Sequence, residues 1–331
     1  MKAYIKKIVY VLPTQIDENP PGRLTRKTGI RERHIAGDNE TASDLAQRAG
    51  EKLFTVGIDK GSIDYLILCT QSPDYFLPTT ACLLQDRLGL SRDIGATDID
   101  LGCSGYEYGL GLAKGLIESD QAKQVLLLTA ETYSKYINPE DHSVKPLFGD
   151  GATATLISGE ECEKSGIHGL VYGTDGSGGH TLIVPGGGMK HPFGSYNDAV
   201  TEDHYGNKRS LSNLYMSGSA IMEFGLERVP QTVNRVLAKT HLTRADIDYY
   251  VFHQANRFML QYLQQKCGLM DYPFWNDVEH YGNTVSSSIP IALTDLMDAC
   301  PERKLEKVML VGFGVGLSWA GCVVDLSHRV P

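Results

Sequence analysis

Asp64-Tyr-Leu-Ile-Leu-Cys-Thr70 is apolar without a break between polar ends, and three later runs share that form: Gln124–Thr129, Asp248–Phe252 and Val308–Gly312. Apolar runs without alternation predict strands buried on both faces, with helices covering each side. Stretches of helical character lie between them, at Thr41–Val56, Tyr106–Ser119, Ser217–Thr240, Arg257–Cys267 and Ser287–Cys300. Thr41-Ala-Ser-Asp44 supplies capping side chains for the first of these. Met1–Lys7 puts two lysines before an apolar strand with no small-residue cleavage site, so it predicts a first strand and not a signal peptide.

The pattern repeats. Ile-Asp-Tyr at 63–65 returns at 247–249, 184 residues later. About forty residues on, each copy reaches a short motif that opens a helix: Ile99-Asp-Leu-Gly-Cys-Ser-Gly-Tyr in the first, His280-Tyr-Gly-Asn-Thr-Val-Ser in the second. Gln124-Val-Leu-Leu-Leu-Thr then matches Lys307-Val-Met-Leu-Val-Gly, and Gly151-Ala-Thr-Ala-Thr-Leu-Ile matches Trp319-Ala-Gly-Cys-Val-Val-Asp-Leu. The chain divides into two similar α/β halves, 1–165 and 166–331, with functional loops where they meet.

Of 331 residues, 42% are hydrophobic, enough for a sizeable core. A net charge of −9 argues against a nucleic-acid or anionic-membrane binder, and no apolar run approaches a membrane span. Seven cysteines, an odd number without a Cys-x-x-Cys pair, argue against a disulfide framework or a zinc site and for reduced thiols in a cytoplasm. Most of them should be small core hydrophobes.

The repeat singles out three residues. Cys103 and Asn283 fall at equivalent strand-to-helix junctions, and His253 ends the strand that repeats Asp64–Thr70. A thiol, an imidazole and an amide suit acyl transfer. At a helix N-terminus the Cys103 thiolate should be favoured, with Gly102 and Gly105 permitting a strained turn that exposes the sulfur. Asn283 can cap the following helix and donate its amide N–H to an oxyanion. Leu147-Phe-Gly-Asp-Gly-Ala predicts a turn that brings backbone to the cleft. Gly312-Phe-Gly-Val-Gly-Leu-Ser offers a backbone N–H, while Gly173–Gly179 and Gly186–Gly188 read as surface turns.

Thr28-Gly-Ile-Arg-Glu-Arg, the Cys103 elbow, Leu147-Phe-Gly-Asp-Gly-Ala, His253-Gln-Ala-Asn, Tyr281-Gly-Asn-Thr and Phe313-Gly-Val-Gly-Leu-Ser-Trp together resemble the β-ketoacyl-acyl-carrier-protein synthase III family, condensing enzymes of the thiolase superfamily. The resemblance runs from Thr28 to Leu326. It implies a thiolase-like, five-layered α-β-α-β-α fold built from two duplicated halves, a homodimer, and no metal or redox cofactor. Cys103 would take an acyl group from an acyl thioester, on coenzyme A or acyl carrier protein. The N–H groups of Cys103 and Val315, in the loop with Phe313 and Gly314, would hold that oxyanion. His253 and Asn283 would stabilise the enolate formed as malonyl-carrier protein loses CO2, with Phe313 beside the malonyl carboxylate. Substrate contacts are implied for Asn256, Arg257, Gly218, Leu77 and Phe148.

Several family positions are altered. Arg23 and His142 stand where a Trp and an Arg sandwich the adenine of coenzyme A, Phe258 where an Arg is expected, and Glu223 where a Lys docks the carrier. Carrier docking would then fall to Arg257, Lys208 and Arg209. Leu77, before Pro78, takes the place of a Phe that reaches into the partner's acyl pocket. These changes suggest a specialised pathway enzyme. Competing readings are an acyltransferase or thioester hydrolase using the same three residues, a non-catalytic acyl-binding protein, and a papain-like thiol hydrolase. In the last, His follows Cys by roughly 130–150 residues, but its Cys-Gly-Ser-Cys-Trp signature is missing here.

Overall fold

The computed structural model describes residues 1–328, so 329–331, the end of the second predicted half, lie outside the described residues. Two sheets carry the fold. The first contains β1 (Lys2–Val11), β2 (Tyr65–Cys69), β3 (Gly95–Ile99), β4 (Gln124–Glu131) and β5 (Gly151–Glu160), in the order β1-β5-β4-β2-β3. The second contains β6 (Ile167–Thr174), β7 (Tyr249–Phe252), β8 (Val308–Gly314) and β9 (Ser318–Val324), in the order β7-β8-β9-β6. In each, a central parallel pair (β2 with β4, β7 with β8) is followed by antiparallel neighbours. The counterpart of β3 has shrunk to one parallel bridge between Tyr250 and Phe274.

The repeated Ile-Asp-Tyr has a physical explanation. Asp64 Oδ2 accepts the backbone N–H groups of Lys123 and Gln124 at 2.7 and 2.9 Å, pinning β4 to β2. Asp248 Oδ2 does the same with Glu306 and Lys307 at 3.0 and 2.8 Å, pinning β8 to β7. Each aspartate sets the register of its half's central parallel pair.

Helices α2 (Ala42–Thr55) and α3 (Thr80–Arg87) cover the outer face of the first sheet, and α5 (Gly218–Thr240) and α6 (Arg257–Lys266) that of the second; α1 (Arg23–Thr28) packs on α6. Between the sheets lie α4 (Gly105–Glu118) and α7 (Ser288–Ala299), the middle of five layers. Tyr106, Leu110, Ala113 and Ile117 on α4, and Ile289, Ala292, Leu293 and Leu296 on α7, are fully buried between the sheets. A Thr41–Asp44 capping box starts α2 as its sequence predicts. Among the described residues no helix is long and apolar enough to cross a membrane. Cys69, Cys103, Cys267 and Cys322 are buried, whereas Cys82 and Cys162 reach the surface and do not serve as core. Gly173 departs from the surface-turn reading, because it lies within β6 and its missing side chain leaves room for the Trp319 ring.

Candidate active site

The fold delivers the three chemical residues to one place by three routes. Cys103 follows β3 and precedes α4, His253 directly follows β7, and Asn283 precedes a short turn, Val285–Ser287, that leads into α7. All three line a cavity of about 400 Å³ together with Phe148, Phe313, Gly314, Asn256 and Gly218. Leu182, Met216, Ile221 and Met222 give the cavity an apolar wall, and Leu24, Lys27 and Thr28 of α1 also line it. That wall had no signal in the sequence, because Leu182 and Met216 meet across a short pairing of 182–183 with 215–216, and Ile221 and Met222 come from α5.

Cys103 is 5% exposed, so its sulfur is not presented to solvent. Neither Gly102 nor Gly105 adopts a left-handed backbone; both are needed for space. A β-carbon on Gly102 would lie 2.6 Å from Gln71 Oε1 and from Val315 Cγ1, and one on Gly105 would strike Cys69 Sγ. A side chain on Gly314 would come within 2.9 Å of Cys103 Sγ. The strain sits across the cleft instead, at Val285, a fully buried β-branched residue with φ 54°.

The expected thiolate is opposed by its surroundings. Burial pushes the Cys103 thiol up, and a negative charge on Glu131, then on Glu107, would add to the effect. The backbone N–H groups of Cys103 and Val315 face the sulfur and pull the other way, but desolvation exceeds them. Val315 does not line the cavity.

His253 is buried and pulled down to about 3 by desolvation, so its imidazole is neutral at physiological pH. Its backbone N–H is held by Val311 O at 2.9 Å, its Nδ1 lies 2.7 Å from Ser288 Oγ, and Phe313 meets the ring edge-on at 5.5 Å between centroids. Ser288, the first residue of α7, is a functional neighbour that sequence reasoning missed.

Asn283 does not cap α7, whose N-cap residue is Ser287; its Oδ1 instead closes a local turn by accepting the Val285 N–H at 2.9 Å. That bond turns the Nδ2 amide away from the turn. The Leu147–Ala152 motif is tied straight onto it: Asn283 donates its backbone N–H to Leu147 O at 2.8 Å, and Gly149 donates to Asn283 O at 3.0 Å. Gly149 must lack a side chain because the Tyr281 carbonyl occupies that space. Arg33, from the Thr28–Arg33 motif, is buried beneath this junction. It donates to the carbonyls of Lys145 and Phe148 at 2.6 and 3.3 Å and pairs with Asp17 at 2.8 Å.

The remaining expected contacts fall elsewhere. Arg257 lies beside Gly29 and pairs with Glu279 at 3.0 Å, which also holds Arg31 at 3.2 Å. Leu77 is 82% exposed, next to the exposed Tyr75 and Phe76. Of the expected docking cations, Lys208 is paired with Glu140 at 2.5 Å, and Arg209 with Asp141 at 2.8 Å and Asp203 at 3.1 Å. Arg209 is therefore committed to holding its own hairpin.

Two sheets enclosing two central helices, with Cys, His and Asn on one cavity, have the layout of a thiolase-like protein. Residues 97–176 match the family described as 3-oxoacyl-[acyl-carrier-protein (ACP)] synthase III, and residues 237–326 match that family's C-terminal part. A β-ketoacyl-[acyl-carrier-protein] synthase III of Clostridium perfringens is 36% identical over 304 residues, 92% of this chain and 90% of its own length. A solved 3-oxoacyl-(acyl-carrier-protein) synthase III is 47% identical, with a TM-score of 0.96 over 98% of this chain and all of that one. The priming β-ketosynthase from the R1128 polyketide biosynthetic pathway is 27% identical, with a TM-score of 0.84, covering 98% of this chain and 96% of that one. The chain belongs to the 3-oxoacyl-[acyl-carrier-protein] synthase III family.

Proposed function

We propose that the chain catalyses a decarboxylative Claisen condensation. Cys103 Sγ attacks an acyl thioester, and the donor's thiol leaves with the proton. The N–H groups of Cys103 and Val315 receive the negative charge of that tetrahedral step. A malonyl thioester then loses CO2 beside Phe313. The enolate carbon attacks the acyl carbon, the C–S bond to Cys103 breaks, the sulfur takes a proton from solvent to restore the thiol, and a β-ketoacyl thioester leaves.

The observation that carries this reading is the arrangement of neutral donors around one sulfur. A neutral His253 can donate from Nε2 if its Nδ1 accepts. Ser288 Oγ, which accepts the Gln254 N–H at 3.4 Å, keeps its hydroxyl proton to give to Nδ1, and in that tautomer the ring proton sits on Nε2. Asn283 Nδ2 supplies the second donor. Two N–H groups without positive charge suit an enolate oxygen, and the set contains no free base for hydrolysis.

The acyl donor is a thioester of coenzyme A or acyl carrier protein, and the extender is malonyl-carrier protein. Arg23 and His142 at the adenine positions favour a carrier-bound donor in a specialised pathway. We place the working form in the cytoplasm as a homodimer, which would cover Tyr75, Phe76 and Leu77, and read 1–165 and 166–331 as its duplicated halves.

Incubation with acyl thioesters of both kinds, followed by intact mass and peptide mapping, tests the first step; added malonyl-carrier protein and CO2 release test the second. Mass addition on Cys103, lost in Cys103→Ala, is expected. No acylation from either donor overturns the reading, and acyl loss to water alone makes the protein a hydrolase. Saturation by coenzyme A thioesters alone overturns the carrier-bound donor.

A further inference from the structure

Glu131 closes β4 and is 0% exposed, a buried acid beneath the cavity. Its Oε1 accepts the Ser286 hydroxyl at 2.8 Å, and its Oε2 accepts the Ser72 hydroxyl at 3.0 Å and the Gln71 N–H at 3.1 Å. Ser286 belongs to the turn after Asn283, whereas Gln71 and Ser72 follow β2. The carboxyl therefore ties together segments from opposite ends of the chain.

Those same segments close on the residue before Cys103. Gln71 Oε1 and Val285 Cγ1 lie 2.6 and 3.2 Å from where a Gly102 β-carbon would stand. Gln71 is itself fixed by two hydroxyls, that of Tyr133 on its Oε1 at 2.6 Å and that of Tyr136 on its carbonyl at 2.8 Å. Held by Glu131, these groups form the walls of the Cys103 elbow. The titratable groups facing this acid are Cys69 from β2, Asp100 after β3, Cys103 itself, and Tyr133 and Tyr136 after β4. None of them is a cation, so a negative charge on Glu131 bears directly on the sulfur.

We propose that Glu131 is a positioning residue for Cys103: its carboxyl oxygens clamp the Gly102–Cys103 turn between Gln71 and Ser286, and a negative charge there holds Cys103 as the thiol. This rests on Cys103 being the acyl acceptor. Burial raises Glu131 to about 8 against the pull of Ser286, Gln71 and Ser72. The acid therefore ionises just above neutrality, before the thiol does, and its charge makes the thiolate grow less steeply with pH than for an isolated thiol.

The test is the pH profile of Cys103 alkylation by iodoacetamide, followed by peptide mapping because Cys82 and Cys162 are also exposed. In the wild type, the rate should climb by less than the tenfold per pH unit of an isolated thiol above about pH 8. Glu131→Gln should match the wild type within about twofold near pH 6.5 and exceed it by at least about fivefold near pH 9.5, as expected for removing a nearby like charge. Ser286→Ala removes a donor that favours the anion, so it should shift the flattening to higher pH, and it serves as the second variant if Glu131→Gln does not fold. Parallel profiles, or an equal loss at every pH, overturn the proposal. Alkylation does not depend on thioester turnover, so diverging profiles without thioester acylation would overturn the acyl-acceptor reading alone.

Discussion

Replacing Glu107 with Gln should stabilise the protein by an amount that grows with pH. Glu107 sits one helical turn past Cys103 on α4 and is 0% exposed. Neither carboxyl oxygen has a hydrogen-bond partner among the described residues; the nearest polar groups are the backbone N–H groups of Glu107 itself and Gly312. Burial holds the carboxyl protonated well above the ordinary carboxylate range. The unfolded chain releases that proton near pH ~4.3, whereas the folded chain keeps it. The stability linked to this group is therefore fully present below that pH and is lost, at ~1.4 kcal/mol per pH unit, until the folded acid itself ionises. Glutamine keeps the shape without titrating. Between about pH 5 and pH 7 the gap between Glu107→Gln and wild type should widen by up to ~2.7 kcal/mol. With an unfolding entropy of ~0.7 kcal/mol/K for a chain this long, that is about 4 °C in Tm. Calorimetry of both proteins across that range reads it directly. A Tm difference independent of pH, or a variant that falls further behind as pH rises, refutes the reasoning.

Asn283→Asp keeps the oxygen that caps Val285 but removes the amide donor, so CO2 release from malonyl-carrier protein should fall by ~10²–10³ while mass addition on Cys103 persists. Ser288→Ala frees the His253 tautomer; decarboxylation should drop roughly tenfold, with Ser288→Thr restoring it, as read by the same paired assays. Arg33→Ala leaves the Lys145 and Phe148 carbonyls without their donor, which should cost about 2–4 kcal/mol in denaturant unfolding, with the solvent-accessible Asp17 adding little.

Much of the fold could be read from pattern because its elements are built locally. The strands around Leu66–Leu68 and Val308–Leu310 are unbroken apolar runs, and the helices from Ser217 and Arg257 carry apolar residues at helical spacing. Asp64 and Asp248 could be matched because each does the same local work in its half. The burial of charged side chains was hidden. Glu107 stands between two tyrosines in a helix and reads like a solvated face, yet that face meets the second sheet. Glu131 ends an ordinary strand, and its partners lie 59 and 155 residues away. The Cys103 thiolate was misjudged for this reason: the helix N-terminus is local, but desolvation and a distant carboxylate outweigh it. Arg209 likewise looked available until Asp141 and Asp203 folded onto it.

The enclosure of α4 and α7 between two sheets has a consequence for how this protein fails. A nucleophile on a surface loop can fray and re-form while the rest of the molecule stays folded. Here the helix behind Cys103 has sheet on both sides, so it cannot open without parting those sheets. Its amides should exchange with solvent only through global unfolding. Loss of the geometry around Cys103 and loss of the native state are then a single event, and thermal inactivation should track unfolding without a preceding silent phase.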